Sequence, residues 1–360
     1  MRIAINCRSI LLSSRTGIGR YTYHLIDALG KIDPNDKFLL YAPQRMMDTK
    51  RQLPSFPYPN FSSQVDFFRQ GPKPSDIFHL PCPDRIGQFK GKVVVTIHDL
   101  IHKTYPQAHT KETIELTEGH LNWIAKRADW IICISENTRK DFHRFYNFPQ
   151  ERTCAILNGV EHEIFYPLKD TAAAGDFLKG LGVEPGFILC VGTIEPRKNV
   201  QGVLEAMAQM KNAPKLVVVG MKGWMTEQIM PRIGELGLTD KVVFTGFVED
   251  AQLNMLYNTC GVFVFPSFYE GFGFPIVEAF CAGVPVVVSN ASCGPEIAGD
   301  AALLVDPASP QQIAQAIDRI LGDGQLRAGL KNKALARAAQ FSFEKTARET
   351  LEVYRHVFPE

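Results

Sequence analysis

The sequence lacks the features that would take it across a membrane, onto nucleic acid or into an oxidising compartment. No apolar run approaches the ~18 residues that a bilayer-crossing helix needs. The opening residues, Arg2-Ile3-Ala4-Ile5-Asn6-Cys7, read as a strand and not as a secretory leader. Any membrane contact is therefore expected to be peripheral. The eight cysteines, Cys7, Cys82, Cys133, Cys154, Cys190, Cys260, Cys281 and Cys293, contain no Cys-x-x-Cys pair. Scattered in this way they read as small buried hydrophobes in a reducing cytosol, which excludes a disulfide frame and a zinc site. The net charge is +1, too little for a general nucleic-acid binder. No Asp-x-Asp-like acidic pair stands in a loop suited to holding a metal beside a phosphate, so no metal or other cofactor is expected.

At 360 residues, with 45% hydrophobic and 21% charged residues, the chain has the composition of a globular protein of two domains. Charge is unevenly spread. Residues 1–165 carry 22 Lys or Arg against 17 Asp or Glu, and eight of the nine histidines. A mildly basic first half is compatible with an acidic acceptor or a membrane surface, as weak support only.

Short apolar runs alternating with helical periodicity predict an α/β architecture of two doubly wound units. In the first, a strand at 2–7 leads through residues 13–20 into an amphipathic helix reaching about Leu29. Gly17 and Gly19 read as a loop between strand and helix. They form either a plain tight turn or a backbone cradle for phosphate. The dinucleotide fingerprint would need a third glycine where Thr22 stands and an acidic residue ending the second strand, which instead runs into Ala42-Pro43-Gln44. A nicotinamide oxidoreductase loses both of its discriminating features. Residues 41–74, rich in Pro and Ser, are expected to form a long loop. A strand at 93–97 delivers His98 to a carboxyl edge, where open parallel sheets bind ligands. His98 either bonds locally or faces the reacting group; with His102 it makes no metal site. Ser135, at the next strand end, is a helix N-cap that could also reach the ligand. Residues 161–185 have the look of an interdomain linker grading into a short helix.

In the second unit the strand at 187–191 runs into Gly192-Thr193-Ile194-Glu195-Pro196-Arg197-Lys198-Asn199, with a helix at once after it. Arg197 and Lys198 are at the wrong end of that helix for its dipole. Either they are solvated, which makes the placement nearly free, or they meet a bound diphosphate together with free backbone N–H groups. Later comes Ser267-Phe268-Tyr269-Glu270-Gly271-Phe272-Gly273-Phe274-Pro275-Ile276-Val277-Glu278. It reads as a tight loop entering a short helix, with Pro275 in the first turn and Gly283 and Pro285 ending it. Glu278 lies among apolar neighbours, where a carboxylate costs several kcal/mol unless paired. It is either stabilised by the helix N-terminus or, with Glu270, holds a polyhydroxylated ligand. A capping box opens a helix at Ser309, and helices near 325–339 and 343–357 close the chain.

The two carboxylates in this context resemble the Glu-x7-Glu signature of the retaining glycosyltransferases of family 4. Thr16-Gly17-Ile18-Gly19-Arg20-Tyr21, Val95-Thr96-Ile97-His98-Asp99-Leu100, Asn158-Gly159-Val160 and the Arg197-Lys198 loop recur in order, so the resemblance spans nearly the whole chain. It is greatest to bacterial mannosyltransferases of polysaccharide and O-antigen assembly. It implies a GT-B fold: two Rossmann-like doubly wound domains facing a central cleft. The first, residues 1–165, would choose the acceptor, and a C-terminal helix at about 343–360 would pack back on it; the second, residues 166–342, would hold the nucleotide sugar. Arg197 and Lys198 would hold the donor diphosphate, with Gly192 in the same loop. Glu278 would hold the ribose hydroxyls, and Glu270 with the backbone of Gly271, Phe272, Gly273 and Phe274 the sugar hydroxyls. His98 would lie near the anomeric carbon, Gly17 and Gly19 near the phosphates, and backbone near Phe247 and Val248 would read the base. One departure is Asn199, where many members have glycine. The partners implied are a nucleotide-sugar donor, GDP-mannose first and UDP- or other hexoses next, and a glycan or lipid-linked acceptor, at the inner face of the cell membrane. Nucleic acid is not expected as a partner. The rival reading is a catalytically silent module of the same fold that binds nucleotide or glycan.

Overall fold

The computed structural model describes residues 1–11, 17–44, 52–68, 70–84, 89–223 and 227–359. Its contacts divide the chain into two compact units, Met1–Gly159 with Ser342–Glu360, and Val160–Phe341.

The first unit is built on strands β1 (Arg2–Asn6), β2 (Lys37–Pro43), β3 (Phe61–Asp66), β4 (Ile77–Leu80), β5 (Lys92–Ile97), β6 (Trp130–Cys133) and β7 (Thr153–Ala155), all parallel, in the order β3-β2-β1-β4-β5-β6-β7. β4 and β5 are covered on both faces, which is why they read as unbroken apolar runs such as Val93-Val94-Val95. Tyr41, Phe78, Ile97, Leu121 and Phe142 belong to one continuous core beneath them. Two sequence expectations are corrected here. Residues 61–66, expected as loop, form the edge strand β3. An edge strand needs little burial, and Ser62 and Ser63 face solvent, so the apolar alternation that would betray it is missing. Its register is held by Tyr41 Oη, which donates to Asp66 Oδ2 at 2.7 Å, and by Phe61 against Phe38. Gly17 and Gly19, expected as a loop before the helix, are its first turn: the helix is Gly17–Ile32, and the preceding residues 12–16, including Thr16 of the motif, lie outside the described residues.

The closing helix Phe343–Val357 belongs to this first unit. Phe343 stacks on His24 with centroids 4.7 Å apart, and Thr346 Oγ1 donates to the Leu157 carbonyl at 2.8 Å. A buried chain of polar groups runs from this helix into the sheet. Tyr354 Oη meets His79 Nδ1 at 2.6 Å, His79 Nε2 meets Thr96 Oγ1 at 2.8 Å, and Thr96 meets Tyr21 Oη at 3.0 Å. At Gly159 there is no room for a Cβ, which would stand 2.1 Å from the Phe343 nitrogen.

The second unit carries β8 (Ile188–Val191), β9 (Leu216–Val219), β10 (Val242–Gly246), β11 (Val262–Phe265), β12 (Val286–Ser289) and β13 (Ala302–Val305), again all parallel, in the order β10-β9-β8-β11-β12-β13. Residues 160–165, expected with the first domain, pack with this unit: the Phe165 ring meets Tyr257 at 6.0 Å. The supposed linker is pinned as well, since the Tyr166 and Leu168 amides donate to Asn254 and Asn258 of the helix Asp250–Thr259. Counted from its own first strand, the first sheet runs 3-2-1-4-5-6-7 and the second 3-2-1-4-5-6, and in each the order reverses between strands 1 and 4. That reversal opens a crevice at the carboxyl edge where ligands bind in such sheets. In the first unit the crevice lies between β1 and β4; in the second it lies between β8 and β11.

Candidate active site

In the second unit the two strands flanking the switch point are followed by the two loops that the sequence singles out. β8 is followed at once by Gly192, whose φ of 138° suits glycine, and a Cβ there would press on the Lys198 side chain at 3.2 Å. A single turn, Pro196–Lys198, then delivers Arg197 and Lys198. Asn199 follows in the left-handed conformation with φ of 57°, caps the helix Val200–Gln209 through Oδ1 to the Gly202 amide, and donates from Nδ2 to the carbonyls of Pro266 and Pro307. It fixes the loop after β8 to the loop after β11.

The two loops close on one another through charge. Arg197 Nη1 lies 2.7 Å from Glu270 Oε2 and donates to the Tyr269 carbonyl at 2.8 Å; Lys198 Nζ lies 2.5 Å from Glu270 Oε1. Arg197 Nη2 pairs with Glu195. The side chains of Arg197, Lys198 and Glu270 are each only 14% exposed, so they are not solvated loop charges. The four form a neutral quartet, and Lys198 also stands 4.7 Å above the Phe265 ring. Burial by itself raises the Glu270 pKa, but Lys198 and Arg197 overcome it and bring the group down to about 2. Burial acts the other way on Lys198, lowering its pKa against the pull of Glu270. The main chain of Glu270 is clamped by Ser292, whose Oγ donates to its carbonyl at 2.5 Å and accepts from its amide at 3.0 Å. Ser292 holds a φ of 56°, uncommon for a residue with a side chain.

Beyond Glu270 the chain passes buried Gly271 and Phe272 to Gly273, which enters the helix Phe274–Cys281 at a φ of 88° with Pro275 in its first turn. Phe272 packs on Phe274 and Phe341, so its ring is core, and its carbonyl accepts from Cys293 Sγ at 3.1 Å. Glu278 is 2% exposed, and Tyr257 Oη donates to its Oε2 at 3.0 Å. Phe247 is 68% exposed and Val248 half-buried; both follow edge strand β10, two strands from β8.

His98, Gly17 and Gly19 belong to the first unit. His98 is buried at the end of β5, and its Nε2 lies 2.6 Å from the Pro81 carbonyl after β4. A carbonyl can only accept, so Nε2 carries the proton and Nδ1 is the basic nitrogen. Burial lowers its pKa, which keeps the ring neutral, and Tyr21 stands edge-on to it at 4.9 Å. Gly19 is buried in its helix and Gly17 exposed. Ser135 spends its hydroxyl on Thr138 as an N-cap, and His102 bonds Tyr146 at 3.0 Å. Among the described residues no group of three His, Cys, Asp or Glu could hold a metal ion, and no helix is long and apolar enough to cross a membrane. All eight cysteines are free thiols.

Sequence reasoning assigned no role to Glu195, Asn199, Ser292 or Tyr257. Asn199 carried a signal, because asparagine tolerates the left-handed region and caps helices. The other three are recognised only by whom they meet in space.

Two family models match the chain: "Glycosyltransferase Family 4" over residues 15–164 and "Glycosyl transferases group 1" over residues 177–337. O-antigen chain mannosyltransferase B of Escherichia coli is 29% identical over 367 residues, covering 94% of this chain and 96% of that protein. The serotype-specific mannosyltransferase WbdA of Escherichia coli is 31% identical over 270 residues, 72% of this chain but only 33% of its own length. Among solved structures, sucrose-phosphate synthase from Thermosynechococcus elongatus superposes with a TM-score of 0.80 at 23% identity, over 99% of both chains. WaaG, a glycosyltransferase involved in lipopolysaccharide biosynthesis, does so with 0.72 at 16%, over 99% of this chain and all of its own. At such identities these likenesses speak for the GT-B fold alone. The paired family models and the mannosyltransferase relative that spans 94% of the chain make it a glycosyltransferase of family 4.

Proposed function

We propose that this glycosyltransferase moves a hexose with retention, most simply mannose from GDP-mannose, onto a glycan or lipid-linked acceptor at the inner face of the cell membrane, and that it does so without a metal. The observation that carries the reading is the buried Arg197–Lys198 pair at the switch point of the second sheet. Breaking the bond between a sugar and a diphosphate develops positive charge on the sugar and negative charge on the leaving group. Two buried cations beside the free N–H groups of a helix start supply the stabilisation that the leaving group needs. The acceptor attacks from the face the diphosphate leaves, and a diphosphate oxygen takes its proton, so no dedicated base is required. Glu270 and the main chain of Gly271, Phe272, Gly273 and Phe274 bind the sugar, Glu278 the ribose, and Gly192 lets the phosphates approach its loop. Neutral His98 acts toward the reacting carbon, and main chain at Gly17 and Gly19 toward the donor phosphates. Main chain at Phe247 and Val248 reads the base. The mannosyl donor is favoured by the relatives whose names specify mannosyl transfer.

The test is turnover with GDP-mannose, UDP-glucose and other nucleotide sugars, in EDTA. Activity in EDTA is expected, and an absolute need for added divalent cation would overturn the metal-free reading. Lys198→Ala should lower kcat by about 10²–10³-fold, the scale of losing one donor to a developing anion; unchanged turnover would remove the diphosphate role.

A further inference from the structure

The Glu270 carboxylate occupies the two cations on which a donor diphosphate would have to sit, and the surrounding geometry gives this a consequence. We propose that Glu270 is an internal counter-anion that a diphosphate must displace, so that the site favours intact nucleotide sugar over bare nucleoside diphosphate. The proposal rests on the diphosphate role of Arg197 and Lys198 given above.

Charge favours the displacement. Arg197 and Lys198 are neutralised one for one by Glu195 and Glu270, and the quartet is largely buried. A diphosphate brings at least two further negative charges to the same cations. With Glu270 left in place the cluster would become a buried, uncompensated anion, among the costliest arrangements in a protein interior. Moving the Glu270 carboxylate off the cations halves the excess negative charge, from two to one, and leaves both cations open to the phosphates. Glu195 is not the one to yield: its side chain is 3% exposed, and it holds the far face of the Arg197 guanidinium, so Arg197 stays aimed while Glu270 leaves.

The movement open to Glu270 is narrow. Its amide and carbonyl are both held by Ser292, so the side chain turns while the main chain stays. Once turned, the carboxylate has lost two charge-assisted bonds and must find donors. The hydroxyls of a hexose on the diphosphate supply them. A bare diphosphate takes the cations but returns nothing to Glu270, and so pays the full cost of the displacement. The same asymmetry speeds departure of the nucleoside diphosphate after transfer, because Glu270 re-pairs with Arg197 and Lys198 as the product leaves.

Isothermal titration tests this on the full chain with inorganic pyrophosphate, and with GDP and GDP-mannose as a matched pair. Glu270→Gln keeps the shape and hydrogen-bonding reach of the side chain but removes the competing charge. It should tighten pyrophosphate and GDP by about tenfold or more, equivalent to ~1.4 kcal/mol, while GDP-mannose gains nothing or weakens. The wild-type preference for the sugar-bearing ligand then collapses. Glu270→Asp retains the charge on a shorter arm that cannot span both cations. It should shift pyrophosphate affinity in the same direction by a smaller factor, and it provides the measurement if Glu270→Gln does not fold. Unchanged or weaker pyrophosphate binding in both variants, with Lys198→Ala still abolishing it, would overturn the proposal and leave the diphosphate role standing. Pyrophosphate and GDP affinities indifferent to Lys198→Ala would overturn both together.

Discussion

The Tyr257 hydroxyl stands 3.0 Å from Glu278 Oε2, and it is a polar partner that lets a carboxylate remain among Ile276, Val277, Ala279 and Phe280. Its ring is locked edge-on between Phe165 and Phe263, so the hydroxyl is delivered by packing and not by chance of rotamer. Tyr257→Phe should leave the ring in place and release one lobe of Glu278. If Glu278 holds the ribose, KM for the donor should rise by roughly tenfold, the worth of a hydrogen bond to a charged group, with kcat little changed. Steady-state kinetics with varied donor checks this; a fall in kcat at saturating donor with KM intact would contradict a purely binding role. Residues of this kind mark the limit of what the sequence discloses. Glu270, Glu278, Arg197 and Lys198 announce themselves because charge sits where local structure gives it no reason to be. Tyr257, Ser292 and Glu195 do not, since a buried aromatic, a loop serine and a loop glutamate are ordinary until their partners are known.

At the scale of elements, the sharpest demand on the chain is the entry to the helix Phe274–Cys281. Gly273 turns the chain there with φ 88° and ψ 59°, and a Cβ at that position would lie 2.9 Å from Ile276 Cδ1. Gly273→Ala should cost about 1–2 kcal/mol for the left-handed conformation alone, with the Ile276 side chain obliged to shift as well. A fall of several degrees in Tm by calorimetry, with a weakened donor KM, is the expected outcome; an unchanged Tm would mean that the turn relaxes freely. The central strands were legible because parallel strands buried on both faces are written as apolar runs. The edge was not: β3 is written as Phe61-Ser62-Ser63-Gln64-Val65-Asp66, and only its pairing with β2 makes it a strand. Capping shows the same contrast. Ser309 does accept from the Gln312 amide, but the Gln312 side chain turns to the Asp306 amide, so the reciprocal box read from the sequence is half made. A complete box, formed by Glu249 and Gln252, opens the helix Asp250–Thr259 and was not foreseen.

For the molecule as a whole, buried ionisable groups set the acid limit of stability. Burial, with a smaller push from His98, lowers His79 from 6.5 to about 3. A histidine kept neutral in the fold but free to protonate when unfolded contributes stability that is whole above pH 6.5 and lost as pH falls toward 3. His98 and His102 are shifted in the same direction, chiefly by burial. Glu270, lowered from 4.5 to about 2, adds stability that is whole above pH 4.5 and lost below it. Thermal unfolding should therefore begin to weaken between pH 6.5 and 5, before Glu270 titrates. His79→Gln should be less stable at pH 8 yet show a flatter slope in that window; a wild-type Tm level from pH 6.5 to 5 would refute the assignment.

The closing helix Phe343–Val357 also sets a timetable. His79 obtains its Tyr354 partner from 275 residues further along the chain, and His24 waits longer still for Phe343. Domains emerging from a ribosome at ~5–20 residues per second usually fold in order of synthesis. Here the first sheet is made first and finished last. While the whole second unit is being synthesised, the groove awaiting that helix stays open, with Gly159, His24 and Tyr21 along it. Completion of the first unit waits for the segment from Ser342 onward, so the second unit, contiguous from Val160 to Phe341, has its whole sequence first.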